Sequence, residues 1–451
     1  MALTGIQILK MLPKKNCGEC KIPTCLAFAM KVAAGQAEID ECPYVSDEAK
    51  ATIGEASAPP IRTVKIGAGD ATFTSGGETC LYRHEKRFEN QTGIAVLVTT
   101  EMADSDVDGR IERFNTLQYD RVGVNMRAEL IAVKDSDGDT AKFTGLVEKV
   151  LAGAAEAAII LMSDNAANMA AAAKACGDRK PLMYGANGDN LDDMAKAALD
   201  AGCALGLKAS NMDDLVALSE KALAAGLKDM MIDSGARTLR GVFEDNVVSR
   251  RAAINTKFKP LGFPSIHFPC EMSDDPMMEA MIASVLIAKY AGIVVLDDLQ
   301  GDLLFPLLLE QLNIFTDPQR PMVVEEDIYT INGPDENSPV LITCNFSLTY
   351  FIVSGEIEGA NVPSWLLIKD TEGLSVLTAW AAGKFGADLI AAFMKKKGIE
   401  DKVKHRELII PGYLASMKGE LEEELPGWTI TIGPREAGHL PAFLKEWKPA
   451  A

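Results

Sequence analysis

The chain has 451 residues, 48% hydrophobic and 24% charged, so it can bury a large interior and is neither disordered nor collagen-like. That length exceeds one ordinary core, and two or three domains are expected. A formal net charge of −19 repels phosphate backbones and anionic headgroups, which argues against nucleic acid and membrane surfaces as partners.

At the N-terminus, Lys14 and Lys15 follow a short amphipathic stretch, the reverse of a secretory signal. No run of roughly 18 apolar residues follows, so a cytoplasmic protein is expected. Four of the nine cysteines fall between residues 17 and 42, while Cys80, Cys176, Cys203, Cys270 and Cys344 are scattered singly. That is the usage of a reducing compartment.

Cys17, Cys20, Cys25 and Cys42 are spaced C-x2-C-x4-C-x16-C, with Gly18 allowing a tight turn between the first two. Four thiolates suit a soft metal, either zinc or an iron–sulfur cluster. Zinc sites commonly pair two C-x2-C knuckles, whereas here one knuckle is followed by a close third cysteine and a distant fourth. Pro43 directly after Cys42 matches the Cys-Pro ending of ferredoxin runs. A 4Fe-4S cluster is expected; structural zinc and a redox dithiol are the alternatives.

Residues 1–58 read as a small cluster domain, closed by the linker Ala56-Ser57-Ala58-Pro59-Pro60, whose prolines suit an extended hinge. Residues 59–322 alternate β-type and helical stretches. The β runs are Thr63–Gly67, Ile94–Thr99, Leu130–Lys134, Ala157–Met162, Pro181–Ala186, Ala204–Leu207, Asp229–Asp233 and Ser265–Phe268. Eight such runs predict a (β/α)8 TIM-type barrel, with a doubly wound sheet as the alternative. A ninth run, Gly292–Leu296, reads as the start of a crossover.

After Pro318 and Pro321 the alternation restarts, and residues 323–451 read as an open parallel, Rossmann-like α/β domain. Its strands are Val340–Asn345, Trp365–Lys369, Glu407–Ile410 and Trp428–Ile432, with helices over Ser375–Lys397 and Leu414–Leu425. Ligands of such sheets bind outside the carboxyl ends of the strands. The candidate cofactor-binding residues are Val340 and Phe346 on the first strand and its following loop, Asp370, Thr371, Glu372 and Gly373 after the second, and Gly433 after the fourth. Thr371 and Ser375 offer hydroxyls, and Gly373 and Gly433 allow close backbone approach.

The segment Asn16-Cys17-Gly18-Glu19-Cys20-Lys21-Ile22-Pro23-Thr24-Cys25-Leu26-Ala27-Phe28-Ala29, completed by Cys42-Pro43, resembles the N-terminal cluster domain of the corrinoid iron–sulfur protein large (gamma) subunit of the reductive acetyl-CoA pathway. The order of domains, with Asp370–Val376 and Gly433–Ala437, extends the resemblance along essentially the whole chain. It implies a methyl carrier whose corrinoid sits against the C-terminal domain and takes a methyl group from methyltetrahydrofolate through a methyltransferase. It further implies delivery to acetyl-CoA synthase/carbon monoxide dehydrogenase, a 4Fe-4S cluster that reactivates Co(II), and a small subunit completing a heterodimer. An iron–sulfur electron-transfer subunit without its own corrinoid is the alternative function.

Many corrinoid proteins supply an axial histidine from Asp-x-His-x-x-Gly, a motif absent around His84, His267, His405 and His439. His405 lies in a basic stretch and reads as a solvated loop residue, so a base-off corrinoid is expected. Asp297, Asp298, Asp302 and Glu325–Asp327 read as solvated carboxylates, and Lys65 and Lys208 as structural lysines. Gly76-Gly77-Glu78 reads as a flexible loop or subunit contact near the top of the barrel, and Met277, Met278 and Met281 as core or interface filling.

Overall fold

The structure, a computed structural model, describes residues 3–33, 37, 39–121 and 124–449. It divides into two compact units: Met1–Tyr119 with Met126–Phe315, and Asp120–Asn125 with Thr316–Ala451. Among the described residues no helix is long and apolar enough to cross a membrane.

The first unit opens with a small helical module. Thr4 caps the helix Gly5–Met11 with a reciprocal capping box to Gln7. This helix, Cys25–Ala33 and Asp47–Ser57 present apolar residues at helical spacing, so Ile8, Leu12, Phe28, Val32, Ala49 and Ile53 meet in one core. The third helix runs through Ala56 and Ser57, two residues expected in the linker. It stops at Ala58 because the residues that follow are prolines, which disfavour α backbone before them.

The strands that follow are β1 (Val64–Ile66), β2 (Phe73–Ser75), β3 (Gly93–Thr99), β4 (Tyr119–Arg121), β5 (Val124–Met126), β6 (Leu130–Lys134), β7 (Ala158–Met162), β8 (Leu182–Ala186), β9 (Ala204–Lys208), β10 (Met230–Asp233), β11 (Ser265–His267) and β12 (Ala291–Leu296). Eight of them close a barrel in the order β10-β11-β12-β3-β6-β7-β8-β9, while β4 and β5 pair only with each other. The (β/α)8 expectation holds, with one exchange of strands. The first predicted run is not a barrel strand, and the run taken for a crossover is: β12 pairs in parallel with both β11 and β3. Every residue of β12 is buried, as a strand covered on both faces requires.

β1 instead pairs antiparallel with β2. It is three residues long and exposes Lys65, and the chain turns at Gly67 (φ +96°) to make a hairpin. Val64, Ile66 and Phe73 pack with Ala95, Leu130, Ala158, Leu182 and Ala204 of the barrel strands. Gly67 N–H donates to the Lys180 carbonyl just before β8, so the hairpin stops the N-terminal end of the barrel. Phe73 fits because β3 begins with glycine: a Cβ on Gly93 would stand 2.6 Å from its ring. Gly76-Gly77-Glu78 continues from this hairpin and lies at the closed end, not the top; Glu78 is buried and ion-paired to Arg250 at 2.9 Å.

Barrel helices start where Asp139, Asn165, Asn211 and Asp275 each accept two backbone N–H groups. Asp297 and Asp298, expected as solvated, pair with Arg110 at 3.1 Å and Arg113 at 2.8 Å. Lys208 pairs with Asp164 at 3.0 Å. Met277, Met278 and Met281 are exposed, whereas Ile282, Ala283, Leu286 and Ile287 form the buried face of the same helix, Pro276–Ala288.

At the barrel mouth, Asp233 is almost fully buried, accepts from Tyr184 Oη at 2.6 Å, and pairs with Arg237 at 2.8 Å, which also reaches Glu271. His267, also buried, has Nε2 at 2.9 Å from both Asn246 Oδ1 and Ser265 Oγ. Asn246 Nδ2 donates to the Lys289 carbonyl, so Oδ1 accepts and His267 Nε2 carries the proton. Burial pushes the imidazole pKa down to about 4, outweighing the attraction of Asp233; the neighbouring Arg237 lowers it further. A group depressed this way adds stability fully present above its unfolded value of about 6.5 and lost as pH falls through about 4. The barrel should therefore lose up to about 3 kcal/mol from this residue alone across that window. Acid titrations of His267→Gln should show a shallower fall than the parent chain.

The second unit adds β13 (Ile328–Ile331), β14 (Val340–Cys344), β15 (Ser364–Lys369), β16 (Glu407–Ile410) and β17 (Thr429–Ile432), in the order β13-β15-β14-β16-β17. All four predicted strands are present and parallel; β13 adds an antiparallel edge on β15. Apolar layers cover both faces, one around Phe385, Ile390 and Leu421, the other around Ile357, Leu440 and Leu444. The helix expected over Ser375–Lys397 is broken into Val376–Ala381 and Ala387–Lys397, with Gly383 between them at φ +69°. Over Leu414–Leu425 only Lys418–Glu424 is α-helical, after a 3-10 stretch Gly412–Met417.

Candidate cofactor cleft and cysteine centre

Chain order takes β14 to β15 on one side, then returns to place β16 on the other side of β14. Helices leave these strands in opposite directions at that reversal, so a crevice opens outside their carboxyl ends. A cleft of about 440 Å³ lies there. Its floor is Leu341–Thr343 and Ile409–Pro411; its walls include Thr349, Ile352, Ser375, Leu377, Tyr413 and the segment Gly433–Gly438. Tyr413 Oη donates to Glu436 Oε1 at 2.7 Å, and that bond holds the phenol above its usual pKa.

Of the predicted residues, Gly433 lines the cleft. Asp370–Gly373 form a turn beside it. The amide of Asn345, buried at the end of β14, organises that turn: Oδ1 accepts from Thr371 N–H (3.0 Å), Thr371 Oγ1 (2.9 Å) and Gly373 N–H (3.1 Å), and Nδ2 donates to Asp370 (2.8 Å). Glu372 (φ +56°) and Gly373 (φ +74°) are both left-handed, a backbone cost that these bonds offset. The Thr371 hydroxyl is thus spent inside the turn, while Ser375, two residues past Gly373, faces the cleft. Phe346 is half-buried before the helix Ser347–Ala360. Val340, fully buried at the opposite end of β14, stands in the sheet core.

Thr349 closes the loop Asn345–Thr349 expected at the end of the first strand, whereas sequence reasoning missed Ile352, Tyr413 and Glu436 as lining residues. The strand-end rule would have found Pro411–Tyr413 had it been applied to the loop after Glu407–Ile410. His405 is not a solvated loop residue: it is half-buried, its Nδ1 accepts from Glu407 N–H at 3.2 Å, and its Nε2 donates to the Ser338 carbonyl at 2.9 Å. Trp447 packs edge-on against the ring at 5.4 Å. Glu326 and Asp327 are likewise engaged, with Lys369 and Lys397, while Glu325 is exposed.

In the helical module Cys17 is exposed, Cys20 and Cys25 are half-buried and Cys42 is buried. The last three border one apolar core with Ile8, Phe28 and Val32. Asn16 ties the loop to the helix Cys25–Ala33: its N–H donates to Cys25 Sγ at 3.4 Å and its Oδ1 accepts from Cys25 N–H at 2.8 Å. Tyr44 Oη donates to Glu19 at 2.7 Å, joining the Cys42 arm to the Cys17–Cys20 knuckle. Soft donors, an N–H aimed at sulfur and an apolar backing fit an iron–sulfur cluster. Among the described residues no three His, Cys, Asp or Glu side chains are gathered to hold one metal ion. The coordination is therefore read from the donors' chemistry and spacing.

Two family models match this chain: "CO dehydrogenase/acetyl-CoA synthase delta subunit" over residues 63–444, and "Putative Fe-S cluster" over residues 12–44. The chain is 44% identical to the corrinoid/iron–sulfur protein large subunit of Moorella thermoacetica over 99% of both chains. It is 35% identical to the acetyl-CoA decarbonylase/synthase complex subunit gamma of Methanopyrus kandleri over 98% of both. Among solved structures, dihydropteroate synthase of Thermus thermophilus matches at 12% identity and a TM-score of 0.39, covering 56% of this chain and 100% of that one. The full-length relatives, the two family matches and the cysteine module ahead of a barrel and an open sheet together place this chain in the family of the corrinoid/iron–sulfur protein large subunit.

Proposed function

We propose that this chain carries a corrinoid in the β14–β16 cleft and a 4Fe-4S cluster on Cys17, Cys20, Cys25 and Cys42, and serves as the methyl carrier of a heterodimer with a small subunit. When bound, the corrinoid supplies a cobalt that accepts and releases a methyl group, and the cluster supplies the electron that restores oxidised cobalt. Donor and acceptor of the methyl group are a methyltetrahydrofolate methyltransferase and an acetyl-CoA synthase/carbon monoxide dehydrogenase. The carrying observation is the cleft itself, set at a switch point, large enough for part of a flat macrocycle, and lined by no histidine.

Ile352, Leu377 and Leu440 offer apolar contact, and Ser375, Tyr413 and the backbone at Gly433 offer polar contact to ring amides. Both nitrogens of His405 are already bonded, which supports a base-off cobalt. Anaerobically purified protein should contain about one cobalt and about four iron per chain, with corrinoid absorption. Cobalt-free protein that takes up no corrinoid would favour the electron-transfer alternative.

His405→Ala should leave the Co(II) electron paramagnetic resonance spectrum unchanged. Asn345→Ala removes the acceptor that gathers Thr371 and Gly373, so the wall at Ser375–Leu377 loosens. Corrinoid affinity should fall about tenfold, equivalent to about 1.4 kcal/mol, in equilibrium dialysis.

A further inference from the structure

The closed end of the barrel contains a second, much smaller cavity of about 40 Å³ between the β1–β2 hairpin, the starts of β11 and β12, and the helix Leu239–Asn255. Its polar lining includes Ser75, Glu78, Asn90, Asn246, Arg250 and Ser265, together with Ser249 and the Tyr290 hydroxyl, which donates to the Leu81 carbonyl at 2.9 Å. Most of these groups already have protein partners. Glu78 Oε2 accepts from Arg250, Glu78 Oε1 from Glu89 N–H, and Asn90 Nδ2 donates to the Gly76 carbonyl. The amide of Asn246 and the hydroxyl of Ser265 are taken up by His267 and Lys289. Among the fully buried lining groups Ser75 stands apart: it is 1% exposed, and its Oγ has no hydrogen-bond partner.

A buried hydroxyl facing a void is costly unless something in the void bonds to it. Charge identifies the class of occupant. The one buried cation, Arg250, is balanced by Glu78 at 2.9 Å, so neither an anion nor a cation gains by entering. The volume exceeds the roughly 10–15 Å³ that one water needs and is far below the roughly 300 Å³ of an organic-ligand pocket.

We propose that this cavity is a water site, holding up to about three ordered molecules, one of them bonded to Ser75 Oγ. The water completes the polar seal where the hairpin meets the barrel, and the site is independent of the corrinoid reading.

A high-resolution crystal structure of the full chain, with and without xenon pressurisation, tests it directly, and thermal unfolding of Ser75→Ala tests it by sign. Density within hydrogen-bond distance of Ser75 Oγ is expected, with no xenon at the site. The barrel midpoint of Ser75→Ala should fall by about 1–3 °C, because a bond to water is lost. An empty cavity, a bound xenon, or a midpoint that rises when the orphan hydroxyl is removed overturns the proposal. If Ser75→Ala does not fold, the density in the parent crystal decides.

Discussion

Cys42→Ala should reduce iron and acid-labile sulfide in anaerobically purified protein to background while leaving the corrinoid content unchanged. Cys42 is the distant fourth cysteine, buried beside Ile8, Phe28 and Val32, and no other cysteine stands near it in sequence to replace it. A cluster left with three thiolates and an apolar pocket in place of the fourth loses a ligand that water cannot match in softness. Reduction of Co(II) by a protein electron donor should then slow by about two orders of magnitude or more, an effect worth at least about 2.7 kcal/mol in barrier. Iron and sulfide analysis reads the first effect, and decay of the Co(II) resonance reads the second. Cys176→Ala is the control. Burial holds the Cys176 thiol near a pKa of about 12, so it stays protonated and is no ligand, and its loss should leave the iron content unchanged. Equal iron loss in both variants would point to general unfolding and sink the assignment.

Arg250→Ala is expected to be the most destabilising single change in the barrel unit, at about 3–5 kcal/mol. Arg250 is 4% exposed; Nε and Nη2 both donate to the Cys80 carbonyl, and Nη2 also donates to Glu78. Its guanidinium lies over the rings of Phe88 at 4.7 Å and Tyr290 at 4.3 Å. Truncation leaves Glu78 charged and buried, frees the Cys80 carbonyl and opens the space between two rings. Arg250→Lys should not rescue it, since a point charge cannot make the fork. The double variant Glu78→Gln with Arg250→Met should lose less than the two single variants summed, because no uncompensated charge remains. The readout must be chosen with care. All four tryptophans, Trp365, Trp380, Trp428 and Trp447, lie in the second unit. Denaturant unfolding followed by circular dichroism should therefore shift, while tryptophan fluorescence should not. A shift in both would show that the two units unfold together.

The fold was legible wherever the signal was local. Seven of the eight barrel strands and all four parallel strands of the second unit stand out as short apolar runs between helical stretches. The hairpin β1–β2 was not legible, because Val64–Ile66 has the same composition as a barrel strand. Only the turn at Gly67 and the small Gly93 beneath Phe73 show that it folds over the barrel end. Composition also misjudged Asp297 and Asp298, and left the methionines undecided between core and interface. Whether Asp298 is solvated depends on Arg113, 185 residues away in sequence, and whether Met277 is covered depends on which face its helix turns inward.

By itself, the sequence determined the four-cysteine set, whose members lie within one short segment, the βα rhythm of two domains, and the absence of an axial-histidine motif. Each of these is a matter of residue type and spacing along the chain. The tertiary structure decided which eight strands close the barrel, that Asn345 rather than Thr371's free hydroxyl organises the Asp370–Gly373 turn, and that the cleft is built from the ends of several strands. It also decided that both nitrogens of His405 are engaged. These depend on pairings between residues far apart in sequence, such as Glu78 and Arg250 at a separation of 172. Local propensity carries no information about such pairs, because they form only when the whole sheet closes and burial makes each unpaired polar group costly.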